Sequence, residues 1–396
     1  MSKEKRRVPK LRFPGFTEDW EQRKLSEVTT CFDNLRVPVT ASDRVPGKIP
    51  YYGANGIQDY VSGHTHSGEF VLIAEDGAND LNDYPIQYVN GAIWVNNHAH
   101  VIAGYKEKLE NKFLSYSLKT VKMTTFIVGG GRSKLNLKAL LEIPISMPNY
   151  DEQCVIGKFI ETIDINITLH QRKLNNLKLK KKALLQKLFP KNGKRYPELR
   201  FPGFTDAWEQ RKLSDISTKV TTKNVDVHYT ETLTNSAEQG IISQVDFFDK
   251  EISNKDNING YYIVDNNDFI YNPRISTLAP VGPINRNKLN RTGIMSPLYT
   301  VFRASNVDLG FLEWYFQSSH WHRYMKLNGD SGARADRIAI KDSTFFDMPI
   351  KTPVNIKEQV LIGETLEKFN QYITLHQRKL DHLQLQKKAL LQQMFV

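Results

Sequence analysis

Ile167-Thr168-Leu169-His170-Gln171-Arg172-Lys173-Leu174 is the stretch that decides the fold, because the same eight residues return unchanged at positions 373–380. Lys-Lys-Ala-Leu-Leu-Gln at 181–186 likewise returns at 387–392. The beginning of each copy also repeats: Arg-Phe-Pro-Gly-Phe-Thr at 12–17 returns at 200–205, and Trp-Glu-Gln-Arg-Lys-Leu-Ser at 20–26 returns at 208–214. Between these ends the two copies hardly resemble each other. A duplication with retained ends and divergent interiors predicts one scaffold that presents two different binding surfaces.

Each repeated ending lies in a long segment with helical periodicity, residues 151–189 and 358–396, and such a helix is about 57 Å long. A single amphipathic helix usually packs on its own domain, but two matched copies with apolar residues at seven-residue intervals favour a coiled coil. We expect the duplication to pair them antiparallel, with the two histidines close together as a polar layer that sets the register. The predicted seam consists of Ile160, Ile163, Ile167, His170, Leu174, Leu177, Leu366, Phe369, Ile373, His376, Leu380 and Leu383.

The predicted fold class is α+β, with two mixed α/β domains joined by two long helices that form an antiparallel coiled coil with pseudo-twofold symmetry. The predicted boundaries are 1–150 for the first domain, 151–190 for the first helix, 191–353 for a linker and the second domain, and 354–396 for the second helix. Alternation and turn residues predict strands at 71–74, 92–95, 261–264 and 294–302. A related short helix is predicted at 112–116 and at 310–314.

Composition limits the class of partner. Lys and Arg number 54 against 43 Asp and Glu, which gives a net charge of +11 and favours a polyanion. The two cysteines lie far apart and predict neither a disulfide framework nor a cysteine-based zinc site, so we expect a cytoplasmic protein. No apolar run has the length of a membrane span, and we expect no membrane partner.

The sequence shows no reaction centre. The Gly-Lys pairs lack the spacing and the hydroxyl of a phosphate-binding loop, and Asn272-Pro273-Arg274 lacks the second proline and the aromatic residue of an adenine-methyltransferase loop. Glu110-Asn111-Lys112 has the spacing of a metal-dependent nuclease, but a helix start explains it better. Two His-x-His pairs, at 64–66 and 98–100, could hold a metal, although hydrogen-bonding side chains are the favoured interpretation. We therefore predict no catalytic residue, metal ligand or cofactor in this chain.

Basic and amide side chains in glycine-rich loops of both interiors form the candidate DNA-binding set. Arginine matches guanine O6 and N7, asparagine matches adenine N6 and N7, and lysine suits phosphate. Any one of these residues is more often part of a solvated loop, so the prediction rests on the shared bias of both halves. The set is Tyr52, Asn55, Asn79, Asn97, Arg132, Lys134, Asn235, Arg274, Arg286, Arg291, Arg334 and Arg337.

The paired openings and endings, with Gly-Gly-Gly-Arg-Ser-Lys-Leu-Asn at 129–136 and Val-Asn-Asn-His-Ala-His-Val at 95–101, resemble the specificity subunits of type I restriction-modification systems. The second half departs from the glycine-rich motif, with Ser-Gly-Ala-Arg-Ala-Asp-Arg-Ile at 331–338. The resemblance implies two target recognition domains, each of which reads one half of a bipartite, asymmetric DNA site. The helices would then set the spacer between the half-sites.

The resemblance also implies partners. Two methyltransferase subunits, which use S-adenosylmethionine, would dock on the helices, and motor and nuclease subunits that use ATP and Mg²⁺ would join for cleavage. This chain itself would be a non-catalytic recognition subunit that binds double-stranded DNA. The alternatives are a stand-alone DNA-modifying enzyme and a protein-binding scaffold.

Overall fold

The computed structural model describes residues 8–128, 134–191, 193–248, 255–330 and 336–396. The chain divides into two compact units, Met1–Arg172 with Gln377–Val396, and Lys173–His376. Both long helices therefore contribute to both units. The boundaries between the units fall within the helices, because each end of a helix packs on the core beside it. The domain boundaries predicted at the ends of the helices stay a prediction.

The first unit is built around a six-stranded sheet with the strand order β2-β7-β5-β6-β3-β4 and a separate pair, β1 with β8. The pairing is antiparallel except between β3 and β6. The strands are β1 Glu21–Lys24, β2 Thr29–Cys31, β3 Pro46–Gly53, β4 Gly56–Val61, β5 His66–Ala74, β6 Ile86–Val95, β7 Ala99–Gly104 and β8 Pro144–Met147. The helices are α1 Leu25–Val28, α2 Asn111–Thr120, α3 Leu137–Leu141 and the start of α4 Tyr150–Lys187.

The second unit has a four-stranded sheet with the order β10-β17-β14-β15 and three two-stranded sheets, β11-β12, β13-β16 and β18-β9. Its strands are β9 Glu209–Lys212, β10 Ser217–Lys219, β11 Leu233–Ser236, β12 Gly240–Ser243, β13 Tyr262–Val264, β14 Phe269–Tyr271, β15 Ile284–Arg286, β16 Gly293–Met295, β17 Thr300–Ala304 and β18 Pro349–Thr352. Its helices are α5 Gln244–Phe248, α6 Leu309–Gln317, α7 His322–Asn328, α8 Asp342–Phe346 and α9 Ile356–Met394, whose last turns belong to the first unit.

The predicted short elements are confirmed with one exception. The segments 112–116 and 310–314 lie within α2 and α6, and the strands predicted at 71–74 and 92–95 lie within β5 and β6. The single strand predicted at 294–302 is wrong, because a turn with a Tyr299 N–H to Ser296 carbonyl bond (3.1 Å) separates β16 from β17. Pro297, which has no N–H to donate, lies inside that turn.

The two long helices lie against each other and run antiparallel. In the first unit, Ile156 and Ile160 near the start of α4 share a core with Met394 at the end of α9. In the second unit the roles are exchanged, because Leu188, just after α4, shares a core with Ile362 near the start of α9. Polar contacts follow the same register: Lys387 bonds Asp164 at 2.5 Å in the first unit, and Lys181 donates to the Asn370 side chain at 2.8 Å in the second.

The predicted seam matches the burial of these helices. All twelve seam residues are buried or half-buried, whereas apolar residues outside the seam, such as Leu169, Leu179, Leu375 and Leu385, are exposed. The seam histidine of α9, His376, is 7% exposed. His170 belongs to the first unit and His376 to the second, and their mutual approach stays a prediction.

A buried ion pair explains why the opening arginine is repeated. Arg12 donates from Nε and Nη2 to both oxygens of Glu152, each at 2.7 Å, and Arg200 does the same to Glu358 at 2.8 and 2.9 Å. Both glutamates are at most 1% exposed and lie in the first turns of α4 and α9. Each opening segment is therefore tied to the long helix of its own unit.

The repeated tryptophan has an equivalent aromatic environment in each unit. Trp20 contacts the ring of Phe395 edge-to-face, with ring centroids 6.2 Å apart, and Trp208 contacts Phe189 at the same distance.

Among the described helices, none has both the length and the apolar character that a bilayer crossing needs.

The N-terminus of the short helix packs closely on the long helix in each unit. Glu110 and Asp308 cap α2 and α6 by accepting from backbone amides at 2.6 and 2.7 Å, which confirms the helix start predicted at Glu110. Gly363 of α9 approaches so closely that a Cβ there would lie 2.9 Å from the amide nitrogen of Phe311. The glycine in the sequence Leu-Ile-Gly therefore sets the distance between α6 and α9.

Candidate nucleic-acid interface

Loops of the first unit converge around the segment that follows β5. Asn55, in the β3–β4 turn, donates from Nδ2 to a carbonyl of that segment at 2.9 Å and accepts from the Asn79 amide at 3.0 Å. His98, in the β6–β7 turn, bonds Asp76 through Nδ1 at 2.5 Å. Lys134 forms an antiparallel β-bridge with Asp76. One surface thus unites residues that lie far apart in the chain.

Most of the DNA-binding residues predicted in this unit lie on that surface. Asn55, Asn79 and Asn97 are exposed, and Asn97 directly precedes the turn residue His98. Tyr52 is half-buried on β3, and burial raises the pKa of its hydroxyl. Arg132 lies outside the described residues.

The basic residue Lys134 is engaged by a network of charges inside the unit. Its Nζ lies 3.0 Å from Glu75, which also accepts from Arg36 at 2.7 Å. His100 bonds Asp33 through Nδ1 at 2.6 Å and the Leu135 carbonyl through Nε2 at 2.8 Å. The network fixes Lys134 and Leu135, in the second half of the glycine-rich motif, beside Glu75 and the β7 residue His100.

Electrostatics keep the two carboxylates of this network ionised. Burial opposes ionisation of Asp33, but hydrogen bonds from His100 and the Val101 amide outweigh it and lower the pKa of Asp33. Burial likewise opposes ionisation of Glu75, and the bonds from Arg36 and Lys134 lower its pKa. Asp33, Glu75 and His100 are close enough to face one metal ion. Because Arg36 and Lys134 already neutralise the carboxylates, we assign the cluster to charge pairing.

The histidine pairs considered as metal sites are used separately. His66 bonds the Thr65 hydroxyl at 2.7 Å and the Phe32 carbonyl at 3.0 Å, and burial lowers its pKa. His98 and His100 bond different carboxylates, Asp76 and Asp33. These bonds are the hydrogen-bonding role that the sequence favoured.

The equivalent place in the second unit is the bridge between Arg274 and Arg337. The backbone bonds correspond: Leu135 N–H donates to the Glu75 carbonyl at 2.7 Å in the first unit, and Ile338 N–H donates to the Pro273 carbonyl at 2.9 Å in the second. Arg274 is exposed and Arg337 is half-buried. The two arginines therefore stand where Asp76 and Lys134 stand in the first unit.

Three other residues predicted to bind DNA in this unit have internal partners. Asn235 is 2% exposed, and its amide donates to two carbonyls, at 2.7 and 3.2 Å. Arg286 pairs with Glu313 at 2.7 Å, and Arg291 makes two bonds to Glu231, at 2.7 and 2.6 Å. The burial of Asn235 does not support a contact between its side chain and DNA. Arg286 and Arg291 would have to break their ion pairs with glutamate before they could contact DNA. Arg334 lies outside the described residues.

Arg274 and Arg337 line a cleft of about 240 Å³ in the second unit. Asn272, Ser276 and Tyr299 add polar groups to its walls, and Ile275 and Leu298 add apolar ones. The described lining contains no acidic residue. The cleft is therefore a positively charged recess in the surface of this unit.

Sequence reasoning missed Arg36 and Glu75, which hold Lys134 in place. No local pattern marks them, because they are 39 residues apart and meet only in the folded sheet. A comparison of the two copies of the repeat does reveal this position. Matching β5 with β14 aligns Glu75-Asp76 with Pro273-Arg274, which exposes a reversal of charge between the copies.

Comparison with known proteins agrees with this geometry. Residues 17–179, which include the whole charge network of the first unit, match the family model for the type I restriction modification DNA specificity domain. This part of the chain is therefore similar to the type I restriction-modification specificity family.

Two curated members of this specificity family match part of the chain. A type I restriction enzyme specificity subunit of Haemophilus influenzae is 49% identical over 143 residues, which cover 36% of this chain and 37% of that protein. The EcoprrI specificity subunit of Escherichia coli is 24% identical over 115 residues, 29% of this chain and 28% of that one. The matches thus span 37% of the length of the first relative and 28% of the length of the second.

The likeness of fold extends over the whole chain. The crystal structure of the type I restriction-modification S subunit from M. genitalium superposes with a TM-score of 0.68 and covers 98% of this chain and 99% of that chain. The sequence identity is 12%, so this likeness concerns the fold. It agrees with the predicted α+β class of two mixed domains and two long, paired helices.

Proposed function

We propose that this protein is the DNA-recognition subunit of a type I restriction-modification complex in the cytoplasm. Each unit reads one half of a bipartite, asymmetric site in double-stranded DNA. The paired helices α4 and α9 set the spacer between the half-sites and bind two methyltransferase subunits. The motor and nuclease subunits join this assembly for cleavage.

The observation that carries the proposal is a repeated frame with unlike surfaces. The pairs Arg12–Glu152 and Arg200–Glu358 fix both openings in the same way. The surfaces differ, because the bridge of the first unit has opposite charges, Asp76 and Lys134, and the bridge of the second has two arginines. Two unlike surfaces on equivalent frames suit an asymmetric, two-part DNA sequence.

A repeated exposed surface supports the docking of two identical partners. Leu169 and Leu375 occupy the same place in the repeated octapeptide and are 55% and 46% exposed. Leu179 and Leu385 form a second exposed pair, at 66% and 68%. Packing inside the chain explains the retention of buried seam residues, but it does not explain identical leucines in solvent. Each unit thus offers one copy of the surface that we assign to a methyltransferase subunit.

The chemistry of methylation belongs, in this proposal, to the partner subunits. They supply the S-adenosylmethionine site, and the motor subunits use ATP and Mg²⁺. In the first unit, His100 forms a hydrogen bond with Asp33, and Arg36 forms ion pairs with Asp33 and Glu75. Purified chain incubated with DNA, S-adenosylmethionine, Mg²⁺ and ATP should leave the DNA unmodified; methylated or cut DNA would favour a stand-alone enzyme instead.

An insertion in both helices tests the spacer. The register of Lys181 with Asn370 places Leu177 opposite the neighbourhood of Ile373. Seven residues added after Leu177 and seven after Ile373 keep the seam and lengthen the pair by about 10 Å, or about three base pairs. Sequencing of methylated adenines in cells that express the chain with its partners should show unchanged half-sites and a longer gap. An unchanged gap would refute the spacer role.

A further inference from the structure

Arg274 and Arg337 form a pair of like charges at the closest kind of cross-strand position. The flanking residues make the backbone bonds, from Ile338 to Pro273 at 2.9 Å and from Ile275 to the Asp336 carbonyl at 2.8 Å. Arg274 and Arg337 are therefore the non-hydrogen-bonded pair, whose Cα atoms are about 4.5 Å apart and whose side chains are neighbours. Like charges directly opposite each other destabilise a sheet.

No carboxylate relieves this repulsion within the described part of the chain. Other arginines of the second unit are paired, such as Arg286 with Glu313 and Arg303 with Asp268. Neither Arg274 nor Arg337 has an ion pair among the described residues, and the described lining of their cleft is free of acidic side chains. With respect to the described residues, the pair thus retains two uncompensated positive charges.

The equivalent backbone bridge in the first unit has no such excess of positive charge among the described residues. There Asp76 faces Lys134 across the bridge, and Glu75 binds Lys134 at 3.0 Å. In the second unit, arginine replaces Asp76 and Pro273 replaces Glu75. Both carboxylates are lost where the second unit has two guanidinium groups.

We propose that Arg274 and Arg337 bind one phosphodiester group of the DNA backbone between them. A phosphate oxygen pair suits the planar donor fork of each guanidinium, and its negative charge removes their mutual repulsion. The edge of a base has no net charge and would leave that repulsion in place. Ser276 and Asn272 line the same cleft and add polar groups beside the anion. This inference rests on the proposed DNA recognition and assigns a contact with the DNA backbone to this cleft of the second unit.

The test measures how DNA binding by the full chain depends on salt. The probe is a labelled duplex of random sequence, and its affinity is measured between about 50 and 200 mM salt. We expect the combined change Arg274→Gln and Arg337→Gln to reduce the slope of log affinity against log salt by about 0.9, the effect of one phosphate contact. Each single variant should show more than half of the reduction in slope that the double variant shows, because binding of one phosphate requires both arginines.

The control removes two positive charges elsewhere on the second unit. Lys357→Gln with Lys368→Gln alters exposed residues of α9 outside the cleft and should change the slope much less. A second variant, Pro273→Glu, keeps both arginines and introduces the carboxylate found in the first unit. It should reduce the slope as the double variant does, which protects the test if the double variant folds poorly.

Three results of this experiment would overturn the proposed phosphate contact. A slope equal to that of the control variant, in both the double variant and Pro273→Glu, would overturn the phosphate contact while DNA recognition stands. Sequencing of the random duplexes that each protein binds reports its base preference. An unchanged slope together with the loss of preference at one base pair would assign the arginines to base reading and overturn the phosphate contact as well. Salt-independent or absent binding by the unaltered chain would overturn both this inference and the proposed function.

Discussion

Arg200 donates two hydrogen bonds to the carboxylate of Glu358, at 2.8 and 2.9 Å, although Glu358 is 1% exposed. Arg12 and Glu152 repeat this geometry in the first unit. A bidentate contact of this kind fixes both position and orientation. The repeated opening motif therefore anchors each unit to a long helix, and its retention follows from the penalty for an unpaired buried charge.

Removing one partner of this pair should destabilise the protein. Glu358→Gln leaves Arg200 with a largely buried, uncompensated charge, and we expect the free energy of unfolding to fall by about 3 kcal/mol. Urea denaturation followed by tryptophan fluorescence measures the change. The matched control Glu364→Gln, at an exposed position of the same helix, should change it by less than about 0.5 kcal/mol. Equal effects of the two changes would show that the ion pair does not stabilise the fold.

Gly363 lies in the helix α9, and its surroundings predict whether replacing it with alanine raises or lowers the stability of the protein. Alanine normally stabilises a helix relative to glycine by about 1 kcal/mol. At Gly363 a Cβ would lie 2.9 Å from the Phe311 nitrogen and 3.0 Å from the Gly310 carbonyl carbon, so Gly363→Ala should destabilise by about 1 to 3 kcal/mol. The equivalent Gly157→Ala should cost less, since its nearest atom, at 2.7 Å, is a carboxylate oxygen at the end of the Glu110 side chain. A higher melting temperature for Gly363→Ala would contradict the close packing.

Acid should destabilise the second unit through His322. Burial, followed by the charges of Lys326 and His320, lowers the pKa of His322 to about 4. Between the unperturbed value of about 6.5 and pH 4 the unfolded chain then binds more protons than the folded one, so stability is lost as the pH falls through that window. His322→Gln should remove about 1 to 2 kcal/mol of this loss, because partial exposure of the ring weakens the effect. Denaturation at pH 7 and pH 4.5 measures it; the same acid loss in both proteins would contradict the assignment.

The exposed leucines of the repeated octapeptide should decide how many methyltransferase subunits bind. Leu169→Glu alone, or Leu375→Glu alone, should reduce the number of bound methyltransferase subunits from two to one, and the double variant should bind none. Native mass spectrometry of the purified complex counts them. Asn176→Glu, at an exposed position of α4 that the repeat does not retain, serves as the control. Full assembly of the double variant would place the docking surface elsewhere.

The helical frame could be predicted from the sequence because its signals are local and occur twice. Seam residues such as Ile160 and Leu366 repeat at seven-residue intervals, and they are buried as that pattern requires. The prediction at 294–302 failed where Pro297 introduced a turn that hydrophobic alternation does not reveal. Strand propensity reports the residues that suit a sheet, not where the chain reverses.

The candidate site was only partly predictable, because its electrostatics depend on contacts between distant residues. In the sequence, Lys134 and Arg291 are indistinguishable from unpaired basic loop residues. In the folded protein, Glu75 binds Lys134 and Glu231 binds Arg291. Asn235 has the composition of a DNA-reading residue, but its amide lies in the core of the second unit. Composition predicts the candidate loops, and only the fold shows which of their arginines form ion pairs with other described residues.

The most direct test of two independent reading units is an exchange of one interior. Residues 26–149, between the repeated opening and the first long helix, are replaced by the corresponding interior of a specificity subunit with a different target. Adenine methylation is then mapped across the genome of cells that express the chimaera with the partner subunits. We predict that one half of the recognised sequence changes while the other half and the gap are retained. A change in both halves, or in neither, would contradict the account.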